Sequence, residues 1–568
     1  EKPLPVALVN GNFRGVQLPA GDWTVRFKYS PDSVKLGGIV SLIAGVTLLF
    51  GLLVFAWRYF YQESSVDSTA RRVAKNSLAP MVLTLFNRGI SLAFAAFMLR
   101  VLGPADAGKY YYAVVVFGWF EIITNYGLNA LLMRDVARDR MHANRYLVNT
   151  TLLRLALGIV VIPGLAALLL LRQTLPSFAL PFGLGAFHPD RLTADTLWAI
   201  GLLVLAQAPA TVSTGLSALF YAYEQAEYPA AVATLTTLMT VSLGTIVLVL
   251  GFGFVGLAAT SIVVNVITLG VLAVLAWRLF FRPRFEFDMA FQRHALRESF
   301  PLMLNSLLAT LFFKVDVTLL EPIRGTTEVG WYSTGYKFVD AFNVVPSLFT
   351  FALFPVMARQ AREDRAALRR SYTLAIKLLV AVALPLAVVT AFSAQFLVGL
   401  LGGAEYLPYG GVALAILIWS IPFGWVNSVT NYLLISLDQQ RGLTRAFAVS
   451  LVFNVILNLL LLPRFGFAAA AAITIASELF EGGLFYIYLR RSLGPVPWLS
   501  LFWRLWAGGG LMALATYLLW PLQPVVALAA GLALYAGCLA VLRPFDDAER
   551  AILAGILPSR LRPFIGRG

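Results

Sequence analysis

The sequence predicts an all-α polytopic membrane protein, and three observations carry that prediction. The 568 residues are 59% hydrophobic and only 13% charged, whereas soluble globular chains are about half apolar and a quarter charged. The apolar residues gather in runs of twenty or more, the length at which a helix crosses about 30 Å of hydrocarbon. Lys and Arg fall between these runs, concentrated in alternate loops, as membrane insertion requires.

The elements follow in order. Residues 1–35 read as a short extracytoplasmic β-hairpin, with alternating Phe13, Val16, Leu18 and Trp23, Val25, Phe27, Tyr29 flanking the turn Pro19 to Asp22. Residues 36–60 form one extra N-terminal helix. Spans at 76–101, 109–132, 147–171, 195–222, 229–251 and 255–281 make a six-helix lobe over residues 76–281. A second six-helix lobe over 299–490 has spans at 299–323, 331–358, 368–392, 410–437, 443–463 and 467–489. Two C-terminal helices occupy 499–542, and 543–568 is a cytoplasmic tail. The chain begins with Glu1 and no basic-then-apolar leader opens it, so it reads as the later part of a longer product.

Orientation comes from the loops. One alternate set holds 27 basic residues, boundary residues included, and the opposite loops of the main body hold 6. The rich side is expected to be cytoplasmic, which places the hairpin outside and the C-terminus inside. A weak repeat runs through the main body. "GPADAG" (103–108) echoes "GTTEVG" (325–330), "VAR" (136–138) echoes "MAR" (357–359), and "GFVGLAAT" (253–260) echoes "GFAAAAAI" (466–473). The offsets of 213 to 222 residues span six helices. An even number of spans makes the lobes a parallel pseudo-repeat.

Composition also excludes. The net charge of +15 and pI near 9.9 are spread between spans, so no nucleic-acid face is expected. A single cysteine, Cys538, and three scattered histidines offer no disulfide framework and no metal centre, and no cofactor motif is present.

A charge at the centre of a span costs about 2.5–3.5 kcal/mol on insertion scales. The charges inside the spans therefore face protein or a watery cavity. They include Arg88, Glu121, Arg154, Lys314, Asp316, Lys337, Asp340, Lys377, Glu478, Glu481 and Arg504. Depth pairs Arg88 with Glu121, Lys314 with Asp340, and Asp316 with Lys337. Lys314 and Asp316 are two residues apart and so point about 200° from each other on a helix, which gives them different neighbours. Glu478 and Glu481 share one helical face, with Lys377 at comparable depth as the expected partner. Arg504 lies near a helix end, where it snorkels to the interface.

Two resemblances follow from longer stretches. The turn "LPAGDWTVRFKYSP" (18–31) and the helix after it resemble the end of the extracytoplasmic β-domain in YfhO-like bacterial membrane proteins. "RRVAKNSLAPMVLTLFNRGISLAFAAFMLRVLGPADAGKYYYA" (71–113) and "FFKVDVTLLEPIRGTTEVGWYSTGYKFVDAF" (312–342), followed by "FPVMAR" (354–359), resemble the polysaccharide-transporter branch of the multidrug/oligosaccharidyl-lipid/polysaccharide (MOP) exporter superfamily. Gly335 stands where that branch usually has Ala.

The second resemblance implies a flippase that moves a polyprenyl-pyrophosphate-linked oligosaccharide, an O-antigen or exopolysaccharide repeat unit. It implies alternating access across a bacterial or archaeal cytoplasmic membrane. Its partners would be the lipid-linked glycan, membrane lipid, and a polysaccharide polymerase and glycosyltransferases. A pyrophosphate is a dense anion that Arg and Lys bind with charge-assisted hydrogen bonds. The resemblance makes Arg88, Lys314, Lys337 and Arg154 the candidate head-group ligands. Asp316, Glu121 and Asp340 are the candidates for coupling export to protons or Na⁺. No catalytic residue is implied. Two other readings remain: a cation-coupled drug or metabolite exporter of the same superfamily, and a membrane protein accessory to glycosyltransferases.

Overall fold

A computed structural model describes residues 7–9, 13–18, 21, 69–174, 178–179, 186–187, 191–546 and 549. The chain divides into two units, Glu1–Gln62 and Glu63–Gly568. In the first, β1 (Ala7–Val9) pairs antiparallel with β2 (Phe13–Gly15). The second arm of the hairpin expected around Pro19–Asp22, and the helix expected at 36–60, lie outside the described residues.

The second unit is helical, as expected for a chain that must satisfy its backbone hydrogen bonds within lipid. Its helices are α1 (Thr69–Asn125), α2 (Leu128–Arg138), α3 (Ala143–Thr174), α4 (Ala194–Ala222), α5 (Glu227–Val249) and α6 (Gly253–Leu279). Then come α7 (Met289–Arg324), α8 (Thr326–Phe342), α9 (Val344–Glu363) and α10 (Arg365–Phe392). The remainder are α11 (Ala394–Gly402), α12 (Tyr409–Leu417), α13 (Ile421–Ser436), α14 (Gln440–Leu493), α15 (Trp498–Leu519) and α16 (Pro524–Leu542). Two-residue strands β3 (Phe178–Ala179) and β4 (Ala186–Phe187) pair antiparallel between α3 and α4. Ten helices among the described residues are long and apolar enough to span a membrane, or eleven if the bent pair α8–α9 counts as one. The protein is a multi-pass membrane protein.

All fourteen spans expected in the main body fall on these helices. The count differs because α1 and α14 each hold two expected spans, joined at a kink, and because α15, the first of the two expected C-terminal helices, is not among the helices that are apolar enough. The kink in α1 is Gly103, with φ 71° and ψ 174°, and the break between α7 and α8 is Gly325, with φ 85° and ψ 173°. Both values lie in a region closed to side chains with a Cβ. The two glycines are the first residues of the echoed segments, so the sequence repeat is also a repeat of backbone geometry. The kink in α14 is Gly466, φ 55°, whose echo Gly253 opens α6 at φ 60°.

Helix starts are capped where the sequence supplies a carboxylate. Asp288 accepts from the amides of Ala290 and Phe291 at the start of α7, and Asp364 from those of Ala366 and Ala367 at the start of α10, each satisfying otherwise orphaned donors. The largest core gathers residues from α7 to α15. Met98, Leu99, Ala107 and Tyr111 of α1 reach into it, as do Leu248 and Leu257. Smaller cores lie within α1–α6.

The segments that follow Gly103 and Gly325 cross each other. A Cβ on Gly108 would lie 1.7 Å from the Thr326 carbonyl oxygen, and one on Gly330 would lie 2.0 Å from the Pro104 carbonyl oxygen. Around this crossing, the Tyr406 hydroxyl donates to the Leu99 carbonyl (3.2 Å). Arg172 and Glu321, both buried, form an ion pair of 2.9 Å. This end of the bundle is closed.

Candidate functional site

The stretch Phe312 to Leu320 places two charges on opposite sides of α7. Lys314 points to α8, where its Nζ lies 3.6 Å from Asp340 Oδ2 and 4.0 Å from the centroid of the Tyr336 ring. One turn toward the crossing, Lys337 Nζ sits 4.8 Å from the centroid of the Tyr111 ring of α1. The charges acting on Lys337 are Asp340, Lys314 and Arg88. The structure thus brings Arg88, Lys314, Lys337 and Asp340 into one electrostatic neighbourhood, with α1 supplying one wall and α7–α8 the other. Three cations and one carboxylate gather there, and an ammonium against an aromatic face is held without being neutralised.

Asp316 faces the other way. It is 2% exposed, and both carboxylate oxygens are occupied. Oδ1 accepts from the Asn458 amide at 2.9 Å, and Oδ2 from the Tyr332 and Thr474 hydroxyls at 3.0 Å each. Asn458 also donates to Asn454, which in turn donates to Ser477. This chain of buried polar groups joins α7, α8 and the two parts of α14. The expected pairing of Asp316 with Lys337 does not form. The 200° separation that gave Lys314 and Asp316 different neighbours also turned Asp316 away from Lys337.

Arg154 stands apart from the cation cluster. It is 1% exposed on α3 and donates to Asn129 of α2. A Cβ on Gly215 of α4 would lie 2.7 Å from its Nη1. Its Nε and Nη1 have no hydrogen-bond partner among the described residues. Arg88 and Glu121, paired by depth in the sequence, form no ion pair here, and both side chains are exposed.

Lys377 does not meet the glutamates of α14. Its Nζ lies 2.8 Å and 3.0 Å from the two carboxylate oxygens of Glu549, in the segment after α16. Glu549 lies beyond the last span and folds back to Lys377, so depth within the spans carries no sign of the pair. Glu478 and Glu481 instead share the Asn427 amide of α13, at 2.8 Å and 3.4 Å. They line a cavity of about 300 Å³ together with Tyr336, Asn343, Asn431 and Thr474. A second cavity, of about 540 Å³, lies between α9 and α13, with Arg359, Arg362, Glu363 and Asp438 on its walls. The Arg172–Glu321 pair escaped the sequence reading. The signal was present, since Glu321 falls inside the span at 299–323 and Arg172 directly follows the one at 147–171.

Comparisons with known proteins agree with this architecture. The family model described as "Polysaccharide biosynthesis protein" matches residues 73–361, and the MatE model matches 301–460. The chain is similar in fold to the lipid II flippase MurJ in an inward closed conformation, with 16% identity and a TM-score of 0.64, covering 82% of this chain and 99% of that one. It is also similar to an inward-facing multidrug resistance MATE family transporter of the MOP superfamily, with 15% identity and a TM-score of 0.55, covering 74% and 98%. A MOP superfamily transporter from Pyrococcus furiosus gives 15% identity and a TM-score of 0.51, covering 74% and 94%. No curated protein matches. The matched segments do not include the YfhO-like stretch, most of which is outside the described residues. With more than half of its length matched by one family model, the chain belongs to the polysaccharide biosynthesis protein family.

Proposed function

We propose that this protein is a flippase that carries a polyprenyl-pyrophosphate-linked oligosaccharide across a bacterial or archaeal cytoplasmic membrane by alternating access of two six-helix lobes, residues 76–281 and 299–490. The observation that carries the reading is the surplus of positive charge where α1 meets α7 and α8. Lys314 and Lys337 share Asp340 as their nearby carboxylate, and Arg88 adds a third positive charge close to Lys337, so the cluster is complementary to a multiply charged anion. A pyrophosphate has that charge, and its oxygens accept the hydrogen bonds that ammonium and guanidinium groups donate. Arg154, buried and bonded to Asn129, serves the first lobe's interior more than the head group.

In this reading the arginine-rich loops are cytoplasmic, the crossing of Gly108 with Gly330 is the closed extracytoplasmic gate, and the C-terminus lies inside. Residues 1–60 and 499–568 are additions to the two lobes: a YfhO-like hairpin and helix at one end, two helices and a tail at the other. Asp316 is the strongest of the three coupling carboxylates. Proton or Na⁺ binding there would compete with bonds from Tyr332, Thr474 and Asn458 and so bias the packing of α14 on α7 and α8. Asp340 is engaged with Lys314, and Glu121 is exposed.

A cation-coupled exporter of small molecules is the second reading. It is favoured by the MatE match over 301–460 and by the carboxylate-lined cavity between α13 and α14. Proteoliposome flipping of a defined polyprenyl-pyrophosphate glycan separates the two. Wild type should flip it, and Lys314→Ala and Arg88→Ala should be impaired. Normal transport by both folded variants would sink the head-group assignment.

A further inference from the structure

The cavity between α8, α13 and α14 has a chemistry that the cation cluster does not use. Glu478 and Glu481 are 6% and 1% exposed. Both face the Asn427 amide nitrogen, which also donates to the Glu478 carbonyl at 2.7 Å. One amide group has two hydrogens for three acceptors. Glu481 Oε1 has no hydrogen-bond partner at all among the described residues. No Lys, Arg or His among those residues forms an ion pair with either carboxylate, because Lys377 is held by Glu549. Two buried acids with one shared donor and an empty acceptor make a site that is incomplete without positive charge.

The walls narrow the class of cation. At about 300 Å³ the cavity is at the lower end of the range for organic ligands and is far larger than a bare metal ion needs. Tyr336 and Phe485 present aromatic surface to it, and Asn343 and Asn431 present amides. Carboxylates beside aromatic rings recognise an organic ammonium, while the amides suit hydroxyl groups. Tyr336 lines this cavity and also carries Lys314 over its ring, so the cavity and the cation cluster share one side chain.

From this we infer that Glu478, Glu481 and Asn427 form a subsite for the ammonium group of an amino sugar within the transported glycan. The inference rests on the flippase reading for its substrate and deepens it: the cargo carries a free amine.

The test is equilibrium dialysis of the purified full chain in lipid nanodiscs with radiolabelled glucosamine, N-acetylglucosamine or Na⁺. Saturable glucosamine binding is expected, at least tenfold weaker in Glu478→Gln/Glu481→Gln, with N-acetylglucosamine also at least tenfold weaker. The single variant Glu481→Gln, checked with the double variant by size exclusion, guards against misfolding and should lie between the two. Absent glucosamine binding overturns the inference, as does equal binding by wild type and the double variant or by the neutral sugar. Na⁺ binding lost in the double variant without glucosamine binding makes the site one for an inorganic ion, and also overturns it. Glucosamine binding in a protein that does not flip the lipid-linked glycan would defeat the flippase reading and leave the subsite standing.

Discussion

Gly108 and Gly330 pack backbone against backbone, each filling the space where the other's helix leaves no room for a side chain. A Cβ on either would come within 2.0 Å of a carbonyl oxygen of the opposing segment. Overpacking of this kind costs about 1–3 kcal/mol, and the cost applies only while the crossing is closed. Gly330→Ala is therefore expected to lower the thermal unfolding temperature and to open this end of the bundle. A cysteine introduced at Ala107, which is fully buried in α1, should resist a thiol reagent in a background lacking Cys538 and react once Gly330→Ala is added. Unchanged protection would show that the crossing tolerates the extra carbon.

Lys314 has two contacts with different demands. Its bond to Asp340 needs only charge, whereas a head group must compete for the same ammonium. Lys314→Ala should reduce flipping at least tenfold, and Lys314→Arg should keep most of it. Asp340→Asn, which frees the cation, should strengthen binding of inorganic pyrophosphate measured by calorimetry. Weaker pyrophosphate binding in Asp340→Asn would contradict this division of roles.

Asp316 is tied by three donors to α8 and α14. Asp316→Asn keeps the shape but removes the titrating group, so flipping should lose its response to an imposed pH or Na⁺ gradient while the protein remains folded. Gradient dependence equal to that of wild type would move coupling elsewhere.

The fold was legible because its signals are long. Twenty-residue apolar runs need no partner to be read, so each expected main-body span falls on a helix. The echo of "GPADAG" with "GTTEVG" even marked the residues that cross. The site was half legible. Depth along a helix found the Lys314–Asp340 pair, because both charges sit on adjacent antiparallel helices. It failed for Asp316 and Lys377 for one physical reason: depth says nothing about azimuth. Asp316 turned toward polar groups on α8 and α14 rather than Lys337, and Lys377 found a carboxylate 172 residues later. The Asn427 link between the two glutamates was equally hidden, since an asparagine carries no charge to balance.

The Lys377–Glu549 pair ties α10 to the segment after α16, with both side chains about one-tenth exposed. Removing one partner of a buried pair strands the other, at a cost of about 3–5 kcal/mol. Lys377→Met should thus destabilise strongly, and adding Glu549→Leu should restore most of the loss. A double-mutant cycle on thermal unfolding measures this, and additive losses would show that the two residues act independently.

Asp288 lies outside the spans, at the start of α7. The Phe291 amide and Arg145 hold its carboxylate below the ordinary aspartate value. A lowered value in the folded state means that the cap stabilises fully above about pH 4, the ordinary aspartate value. The contribution fades as pH falls through the folded-state value. Asp288→Asn should therefore flatten the acid limb of the stability profile, and leave a difference from wild type that is constant from pH 5 to 8.

The two echoed hinges share backbone geometry but not their fastening. In the first half, Lys109 is held by Asp106 and Asp195, each at 3.0 Å, and lies over the Phe254 ring. In the second half, Trp331 takes the place of Lys109, stacked on Tyr409 at 4.3 Å and edge-on to Phe467 at 5.9 Å. Dissolved ions weaken the ion pairs of the first fastening and the Arg324–Glu328 pair (2.8 Å) that bridges Gly325 in the second, but leave the aromatic stack of the second untouched. Ionic strength thus loosens one hinge more than the other, and a duplicated pair of hinges is unequally fastened.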